Sequence, residues 1–419
     1  MLKLCYRHAF VLCGLILVSW TTLVAEKTVL ENARASIALT RFVQAVVDSN
    51  YRVQAARAGL EASSALRDAA ARPLYNPELS LDAENAQARI RTLSISQTLD
   101  WGGKRKARTA VAELYRLVAE AEYLDARWTV AVDLLNGLAQ YQTGVERDRL
   151  VQTRQQLMEE FATLAQRQFE AGELDQVALD QALLSLTEAR IQKAMVAADL
   201  AEARQAVYSL GPRTPEAQWP SLPEKPPEIP EQSADSQALV LALPGVAAAR
   251  QRVTIADAVV GLQRRERRPD LTLSLTGGYE DGKRLIGLGL SIPLPIRNRF
   301  THEVTAATAA RDQAQQLADD AIQMAHASLT SATARYELSR SAWDEWEHTG
   351  RKSLDRQSEE LRRLWQAGDM DMADYFGQLG EALDVQESII DLRGQTWQAW
   401  FEWLRASGQV DVWLGLTRK

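Results

Sequence analysis

The residues whose chemistry stands out are carboxylates placed just after a glycine. Asp371 and Asp374 follow Gly368 and are three residues apart, a spacing that puts both on one face of a helix. Carboxylates that share a face attract cations and repel one another, which raises some of their pKa values. The alternative, which the sequence favours equally, is a solvated helix start, where acidic residues are stabilised by the helix dipole.

A similar arrangement occurs earlier in the chain. The segment Gly172, Glu173, Leu174, Asp175 aligns with Gly368, Asp369, Met370, Asp371, but Ala178 occupies the position equivalent to Asp374. Glycine is common just past the C-terminus of a helix. Both segments are therefore predicted to end one helix and to turn the chain into the next.

The sequence offers no support for catalysis. It contains no Gly-x-Ser-x-Gly elbow, no phosphate-binding loop and no His-Glu-x-x-His pair. His302, His326 and His348 lie on distant turns of one predicted helix, whereas a zinc site requires several convergent ligands. We therefore predict a protein that is not an enzyme and that has no cofactor and no metal site.

Composition and the N-terminal segment narrow the classes further. Residues 1–25 combine two basic residues with an apolar run that ends in small residues, which is typical of a secretory signal peptide cleaved after Ala25; an uncleaved anchor is the alternative. Both cysteines, Cys5 and Cys13, lie in this segment, so the mature chain is expected to lack disulfides and thiolate sites. The net charge of −7 argues against nucleic acid as a partner. No later stretch is apolar enough to cross a bilayer as a helix.

The two turns belong to a duplicated plan. Stretches 76–101 and 269–295 share a Pro-x-Leu-x-Leu start and lie about 195 residues apart, which indicates a duplicated half rather than a solenoid unit. In both stretches apolar and polar residues alternate, which predicts two β-hairpins with one apolar and one polar face. Their turns are expected near residues 85–91 and 277–283.

Long helices are predicted to fill the remainder. The first repeat, residues 26–210, has a helix before its hairpin, a long helix over 104–171 and a return helix; the second repeat, residues 236–407, has the same order with its long helix over 299–367. A Pro-rich linker, residues 211–235, joins the repeats, and residues 408–419 form a C-terminal tail. At 1.5 Å per residue a helix of about 65 residues is near 100 Å long. Such a helix needs coiled-coil partners along its length.

The strand lengths favour a membrane barrel built from several chains. Each predicted strand has about 9–11 residues, the length that crosses a bilayer. Four strands cannot close a barrel because the smallest known barrels have about eight, but three chains would supply about twelve. A soluble periplasmic coiled-coil scaffold is the alternative, and the four strands argue against it because such a protein has no use for them.

Several of these motifs resemble the TolC-like outer-membrane factors, the outer membrane efflux proteins of Gram-negative efflux and secretion systems. The resemblance covers essentially the whole mature chain. It rests on Asn76-Pro-Glu-Leu-Ser-Leu, on Gln97-Thr-Leu-Asp-Trp-Gly-Gly-Lys-Arg and on the paired Ala-Gly turns at Gly172 and Gly368. The first two motifs look closest to the branch that serves heavy-metal efflux pumps of the cobalt–zinc–cadmium type.

The resemblance implies a fold and a function. The fold is mainly α with a small β part: long coiled-coil-like helices form a periplasmic α-barrel, and the two hairpins give four strands to a trimeric twelve-stranded β-barrel in the outer membrane. The function is that of a homotrimeric channel in a tripartite efflux system for metal cations. Its partners are outer-membrane lipid, a periplasmic adaptor protein and an inner-membrane RND-type pump. Channels of the same fold for drug or other small-molecule efflux, or for type I protein secretion, stay open as alternatives.

The resemblance also gives roles to the two turns. Docking onto the adaptor is expected for Gly172, Glu173, Leu174, Asp175, Gly368, Asp369 and Met370. In a trimer, Asp371 and Asp374 of three chains would place six carboxylates around the axis. Members of the family narrow the tunnel mouth with such acidic rings, so these two residues are predicted to form the periplasmic gate.

Overall fold

The structure is a computed structural model that describes residues 34–85, 89–211, 214–229 and 236–416. The predicted signal peptide, residues 1–25, lies outside the described residues, as do residues 86–88 of the first hairpin turn and residues 212–213 and 230–235 of the linker. In chain order the elements are α1 (Ile37–Ser49), α2 (Tyr51–Ala70), β1 (Glu78–Asn85), β2 (Arg89–Leu99), α3 (Lys104–Glu170), α4 (Gln176–Tyr208), a 3₁₀ turn (Glu216–Gln218), α5 (Ser236–Ala242), α6 (Pro244–Glu266), β3 (Leu271–Glu280), β4 (Lys283–Ser291), α7 (Thr301–Glu345), a π-helical turn (Trp346–Gly350), α8 (Arg351–Ala367), α9 (Met372–Ser407) and α10 (Val410–Leu414).

The chain divides into two compact units. The helical unit comprises Met1–Val53, Arg127–Val240 and His326–Lys419, and the sheet unit comprises Gln54–Ala126 and Leu241–Ala325. The sheet unit contains all four strands of the described residues. The helical unit contains both glycine turns.

The sheet of the sheet unit is antiparallel with strand order β1-β2-β3-β4. Leu79, Ile95, Leu275 and Leu288 are neighbours across the four strands, so they share one face. These side chains are exposed, to 88% for Leu288. The predicted alternation is therefore confirmed, and the chain presents an uncovered apolar sheet face.

The opposite face of the sheet is polar. The hydroxyls of Ser94 and Thr276 are hydrogen-bonded at 2.8 Å, and those of Thr98 and Thr272 are also 2.8 Å apart. Both pairs join β2 to β3. The two predicted hairpins are thus one continuous sheet, a connection that the local patterns did not indicate.

The turn of the second hairpin lies at Asp281-Gly282, within the predicted segment 277–283. Asp281 and Gly282 have φ of 48° and 81°, and two consecutive left-handed residues between paired strands are the hallmark of a tight hairpin turn. Gly278, expected in the turn, lies within β3. A Cβ at Gly278 would lie 2.1 Å from the carbonyl oxygen of Arg91, so this glycine permits a close strand approach.

Where the helices leave the sheet, buried charges join its strands to α3. Lys104 and Asp270 are each only 6% exposed, and the Lys104 Nζ lies 2.9 Å from Asp270 Oδ2. The Tyr75 hydroxyl donates to the same oxygen at 2.6 Å, and this hydrogen bond raises the pKa of Tyr75 to about 12. Asp100 accepts from the backbone N–H groups of Lys104 and Arg105, both at 2.8 Å, and so caps α3.

The predicted long helix over 104–171 is confirmed, since α3 runs over 67 residues. The helix predicted before the first hairpin is broken at Asn50, whose side chain donates to the Leu210 carbonyl at 2.7 Å and accepts from the Arg52 N–H at 2.8 Å. The helix predicted from 236 is likewise broken before Pro244, because proline is suited to the first turn of a new helix.

The second long helix, predicted over 299–367, contains a π-helical turn at Trp346–Gly350. A Cβ at Gly350 would lie 2.3 Å from the Trp346 ring, so the ring packs where only glycine leaves space. No single described helix is both long and apolar enough to cross a membrane, although the bent pair α5 and α6 meets that criterion together.

The Pro-rich linker is fastened to the helical unit over its described part. The Trp219 ring contacts Tyr141 edge-on with centroids 4.7 Å apart, and the Trp397 indole donates to the Pro223 carbonyl at 3.2 Å. Part of the predicted C-terminal tail is helical, because Val410–Leu414 form α10. Trp413 of this helix is buried.

Candidate functional site

The first glycine turn connects α3 to α4. Gly172 has φ of 79°, a left-handed conformation in which glycine carries no steric penalty. Its N–H donates to the Phe169 carbonyl at 3.0 Å, and the Glu173 N–H donates to the Gln168 carbonyl at 2.9 Å. This pair of bonds is the Schellman motif, which satisfies the last carbonyls of a helix.

The second glycine turn connects α8 to α9 with the same bonds. Gly368 has φ of 78°, and its N–H donates to the Trp365 carbonyl at 3.1 Å. The Asp369 N–H donates to the Leu364 carbonyl at 3.0 Å. The two turns are therefore duplicated in backbone geometry as well as in sequence.

An aspartate begins the helix that follows each turn. Asp175 Oδ1 accepts from the Ala178 N–H at 2.9 Å, and Asp371 Oδ1 accepts from the Asp374 N–H at 2.8 Å. Such N-caps satisfy an orphan donor of the first helical turn. Asp371 therefore precedes α9 and its carboxylate is engaged in capping, whereas the sequence suggested that it shares a helix face with Asp374.

Asp374 is the predicted gate residue whose carboxylate is left unengaged. It lies in the first turn of α9, it is exposed, and no cation pairs with it within the described ranges. Glu173, Asp175, Asp369 and Asp371 are also exposed. The two turns thus present carboxylates to solvent, as a surface that attracts cations or basic partners would.

One apolar cluster underlies both turns. It includes Phe161 of α3, Leu179 of α4, and Met372 and Phe376 of α9, and Leu174 of the first turn packs against it. The Phe161 and Phe376 rings are stacked with centroids 4.6 Å apart. Because the cluster joins the helices flanking both turns, the predicted docking and gate residues lie at the same end of the helical unit.

Ion pairs hold α9 against α3 farther from the turns. Arg154 binds Asp384, and Arg147 lies 3.0 Å from Glu387 and 3.6 Å from Asp391. Burial raises the pKa of the Asp391 carboxyl, while the charge of Arg147 opposes the shift. These ion pairs hold α9, the helix that contains Asp374, against α3. Sequence reasoning missed these pairs because their members are more than 200 residues apart.

The described residues contain no group of three or more His, Cys, Asp or Glu side chains arranged to hold a metal ion. The gate and docking roles of the two turns therefore stay predictions that rest on carboxylate exposure. The capping bonds of Asp175 and Asp371, in contrast, are geometric features of the structure.

The chain is similar to known proteins in sequence and in fold. Its sequence matches the family described as outer membrane efflux protein over residues 42–211 and 236–409. It is 28% identical over 294 residues to the cobalt-zinc-cadmium resistance protein CzcC of Cupriavidus metallidurans, covering 68% of this chain and 69% of the relative. It is 27% identical over 246 residues to the nickel-cobalt-cadmium resistance protein NccC of Alcaligenes xylosoxydans xylosoxydans, covering 55% of each.

A solved outer membrane channel is similar in fold. The crystal structure of the CmeC outer membrane channel of Campylobacter jejuni superposes with a TM-score of 0.75 at 16% identity, covering 89% of this chain and 86% of that one. This likeness confirms the predicted fold class of long helices with a small set of strands. The family match spans both repeats. The chain is therefore a member of the outer membrane efflux protein family, an outer-membrane protein whose helical part lies in the periplasm, as its sequence predicted.

Proposed function

We propose that the chain forms a homotrimeric channel through which a tripartite efflux system exports metal cations. The observation that carries the proposal is the uncovered apolar face of the sheet, with Leu79, Ile95, Leu275 and Leu288 in one exposed row. Exposed apolar patches of this extent mark contact surfaces. For a member of an outer-membrane family, lipid is the contact that such a face fits.

The homotrimer is supported by surfaces that one chain leaves without a partner. A sheet of four strands ends in two open edges, and membrane strands are stable only in closed barrels. On α4, Val177, Leu184 and Ile191 are seven residues apart and exposed. Seven-residue spacing of apolar residues is the pattern of a coiled-coil seam, so this stripe fits a helix of a neighbouring copy.

The metal-cation substrate is supported by the relatives and by charge. CzcC and NccC are named for resistance to cobalt, zinc, cadmium and nickel. In a trimer, three unengaged Asp374 carboxylates would surround the axis at the turn end and favour cations over anions. Asp371 would contribute less than Asp374 because its carboxylate caps α9.

Adaptor docking is supported by the exposure of both turns at one end of the helical unit. Gly172, Glu173, Gly368 and Asp369 lie exposed above the shared apolar cluster. The acidic side chains among them would pair with basic residues on the adaptor, an interaction that mainly sets partner choice and association rate. The inner-membrane pump, of the RND type, would then be coupled through the adaptor.

The experiment is a gene deletion in the native host followed by complementation. Deletion is expected to raise cellular zinc, cobalt or cadmium and to lower the tolerated metal concentration, and the wild-type gene is expected to restore both. Complementation with Leu184→Asp, which places a charge in the proposed seam, is expected to fail. Unchanged metal tolerance with increased drug sensitivity would contradict the metal substrate and would favour the drug-efflux alternative.

A further inference from the structure

Exposed basic residues surround the end of the sheet at which the strands connect to the helices, called the base of the sheet. They precede β1 and β3 or follow β2 and β4, and they are Arg72, Arg105, Lys106, Arg264, Arg265, Arg267, Arg268, Arg297 and Arg299. Because the sheet is antiparallel with this strand order, the starts of β1 and β3 and the ends of β2 and β4 lie at the same end of the sheet. Nine cations are thus concentrated there in a chain whose net charge is −7.

Among the described residues, these nine cations have no acidic partners. None of them forms an ion pair within the described part of the chain, whereas Arg147 of the helical unit contacts three carboxylates. Three acidic groups of the base are already engaged, since Asp100 caps α3, and Lys104 binds both Asp270 and Glu266. Glu78 at the start of β1 is exposed and forms no ion pair within the described residues. The nine exposed cations are therefore available to bind an anionic partner.

The opposite end of the sheet, beside the two hairpin turns, lacks this excess of positive charge. The strand ends beside the two hairpin turns carry the basic residues Arg89, Arg91, Lys283 and Arg284 together with the acidic residues Glu84, Glu280 and Asp281. Charges of both signs there nearly cancel. The basic excess is a property of the base and not of the whole sheet.

The base also continues the apolar face. Trp101, Leu294 and Ile296 are 75%, 73% and 72% exposed. Arg268 and Arg297 line a cavity together with Leu294, Ile296 and the neighbouring prolines. Guanidinium groups beside apolar side chains suit a lipid, which has a phosphate head group next to acyl chains, and tryptophan is enriched at the membrane interface.

We propose that the base of the sheet binds the head groups of anionic phospholipids in the leaflet that faces the helices. The phosphates would pair with the nine exposed cations, and the first acyl carbons would lie against Trp101, Leu294 and Ile296. Basic residues beside a membrane-embedded segment are attracted to anionic lipid in this way. The proposal rests on the membrane placement of the sheet that the proposed function includes.

The test compares two lipids on the purified full-length protein in detergent. Dioctanoyl-phosphatidylglycerol and dioctanoyl-phosphatidylcholine have the same chains, and their adducts are counted by native mass spectrometry. We expect the anionic lipid to bind about tenfold more tightly, with the preference falling as salt rises because exposed charges are screened. Inorganic phosphate at an equal concentration is expected not to displace it.

Two matched variants localise the effect. Replacing Arg105, Arg264, Arg268 and Arg297 by Gln is expected to abolish the preference, and none of these side chains makes a hydrogen bond within the described residues. Replacing Arg89, Arg91, Lys283 and Arg284 by Gln removes the same number of charges from the hairpin-turn end of the sheet. This variant is expected to keep the preference for the anionic lipid. Replacing the first four by Lys keeps the charge and is also expected to preserve it.

Three outcomes would overturn the proposal: equal affinity for the two lipids, loss of the preference in both Gln variants, or displacement of lipid by inorganic phosphate. Conductance of the wild-type protein in a planar bilayer is recorded in parallel. A wild-type protein that conducts but shows no lipid preference contradicts this proposal alone. A protein that prefers anionic lipid but does not conduct contradicts the proposed channel instead.

Discussion

The two glycine turns of the helical unit share one backbone conformation but differ in one side chain of the helix that follows. Both begin with a left-handed glycine and a Schellman motif, and both end with an aspartate that caps the next helix. The residue that receives the cap is Ala178 after the first turn and Asp374 after the second. Duplication thus preserved the parts that reverse the chain, and the unengaged carboxylate is present in one copy.

Residues that are equivalent in both turns stabilise the turn, whereas a residue that is present in one turn alone can act on the ions that pass through the channel. Gly172 and Asp175 have counterparts with equal geometry, so their role is structural in both copies. Asp374 has no acidic counterpart, and its carboxylate is free within the described residues. We therefore assign the proposed gate mainly to Asp374, with Asp371 as the residue that positions it.

The largest effect is expected from the cluster that the two turns share. Phe376→Ala removes a buried ring stacked on Phe161 and should lower the free energy of unfolding by about 3–5 kcal/mol. Hydrogen exchange should then increase in both turns. Phe169→Ala, at the half-buried edge of the cluster, is the control with a smaller expected loss. Faster exchange in the second turn alone would mean that the turns are not supported jointly.

Next in size is the replacement of the turn glycines. Gly172→Ala and Gly368→Ala each place a side chain in the left-handed region, at a cost of about 1–2 kcal/mol measured by thermal unfolding. The two losses should be nearly equal because the bonds are duplicated. Gly59→Ala in the interior of α2, where a Cβ meets no atom within 4 Å, should instead stabilise the protein. Unequal losses of stability at the two turns would show that the two turns are not energetically equivalent.

Smaller again is the effect of the capping aspartates. Asp175→Ala and Asp371→Ala should each destabilise the following helix by about 1 kcal/mol, because the N–H of Ala178 or Asp374 loses its acceptor. Asp175→Asn and Asp371→Asn should retain most of the stability, since asparagine caps equally well. The measurement is hydrogen exchange of those two amides. No change in Asp371→Ala would show that its carboxylate is not needed for capping.

The smallest effect on stability is expected at the position where the turns differ. Asp374→Asn and Ala178→Asp are exposed or half-buried changes that should shift the free energy of unfolding by less than about 0.5 kcal/mol. Their effect should instead appear in ion selectivity, with Asp374→Asn lowering the preference for cations and Ala178→Asp raising it. Reversal potentials in a salt gradient measure this. The exposed Asp180→Asn is the matched control, and an equal effect there would remove the special role of Asp374.

The sequence predicted elements wherever a local pattern carries the information. Alternation identified the strands, and Gly172 and Gly368 identified the turns. The second hairpin turn was also found from a local pattern, since Asp281-Gly282 lies within the predicted segment 277–283. The pattern did not show that Gly278 lies in β3, where it permits a close strand approach.

Long-range features escaped prediction because no local pattern encodes them. The β2–β3 pairing, the Lys104–Asp270 ion pair and the stacking of Phe161 on Phe376 each join distant parts of the chain. The same holds for the candidate site. Its residues were found from spacing, whereas the distinction between a capping Asp371 and an unengaged Asp374 required geometry.

We propose that three copies of this chain close one channel in the outer membrane. The most direct measurement is native mass spectrometry of the full chain extracted from the outer-membrane fraction, paired with single-channel recording of the same sample. We expect a species of three chains that gives stable, cation-selective conductance. A monomer that does not conduct would contradict the trimeric channel.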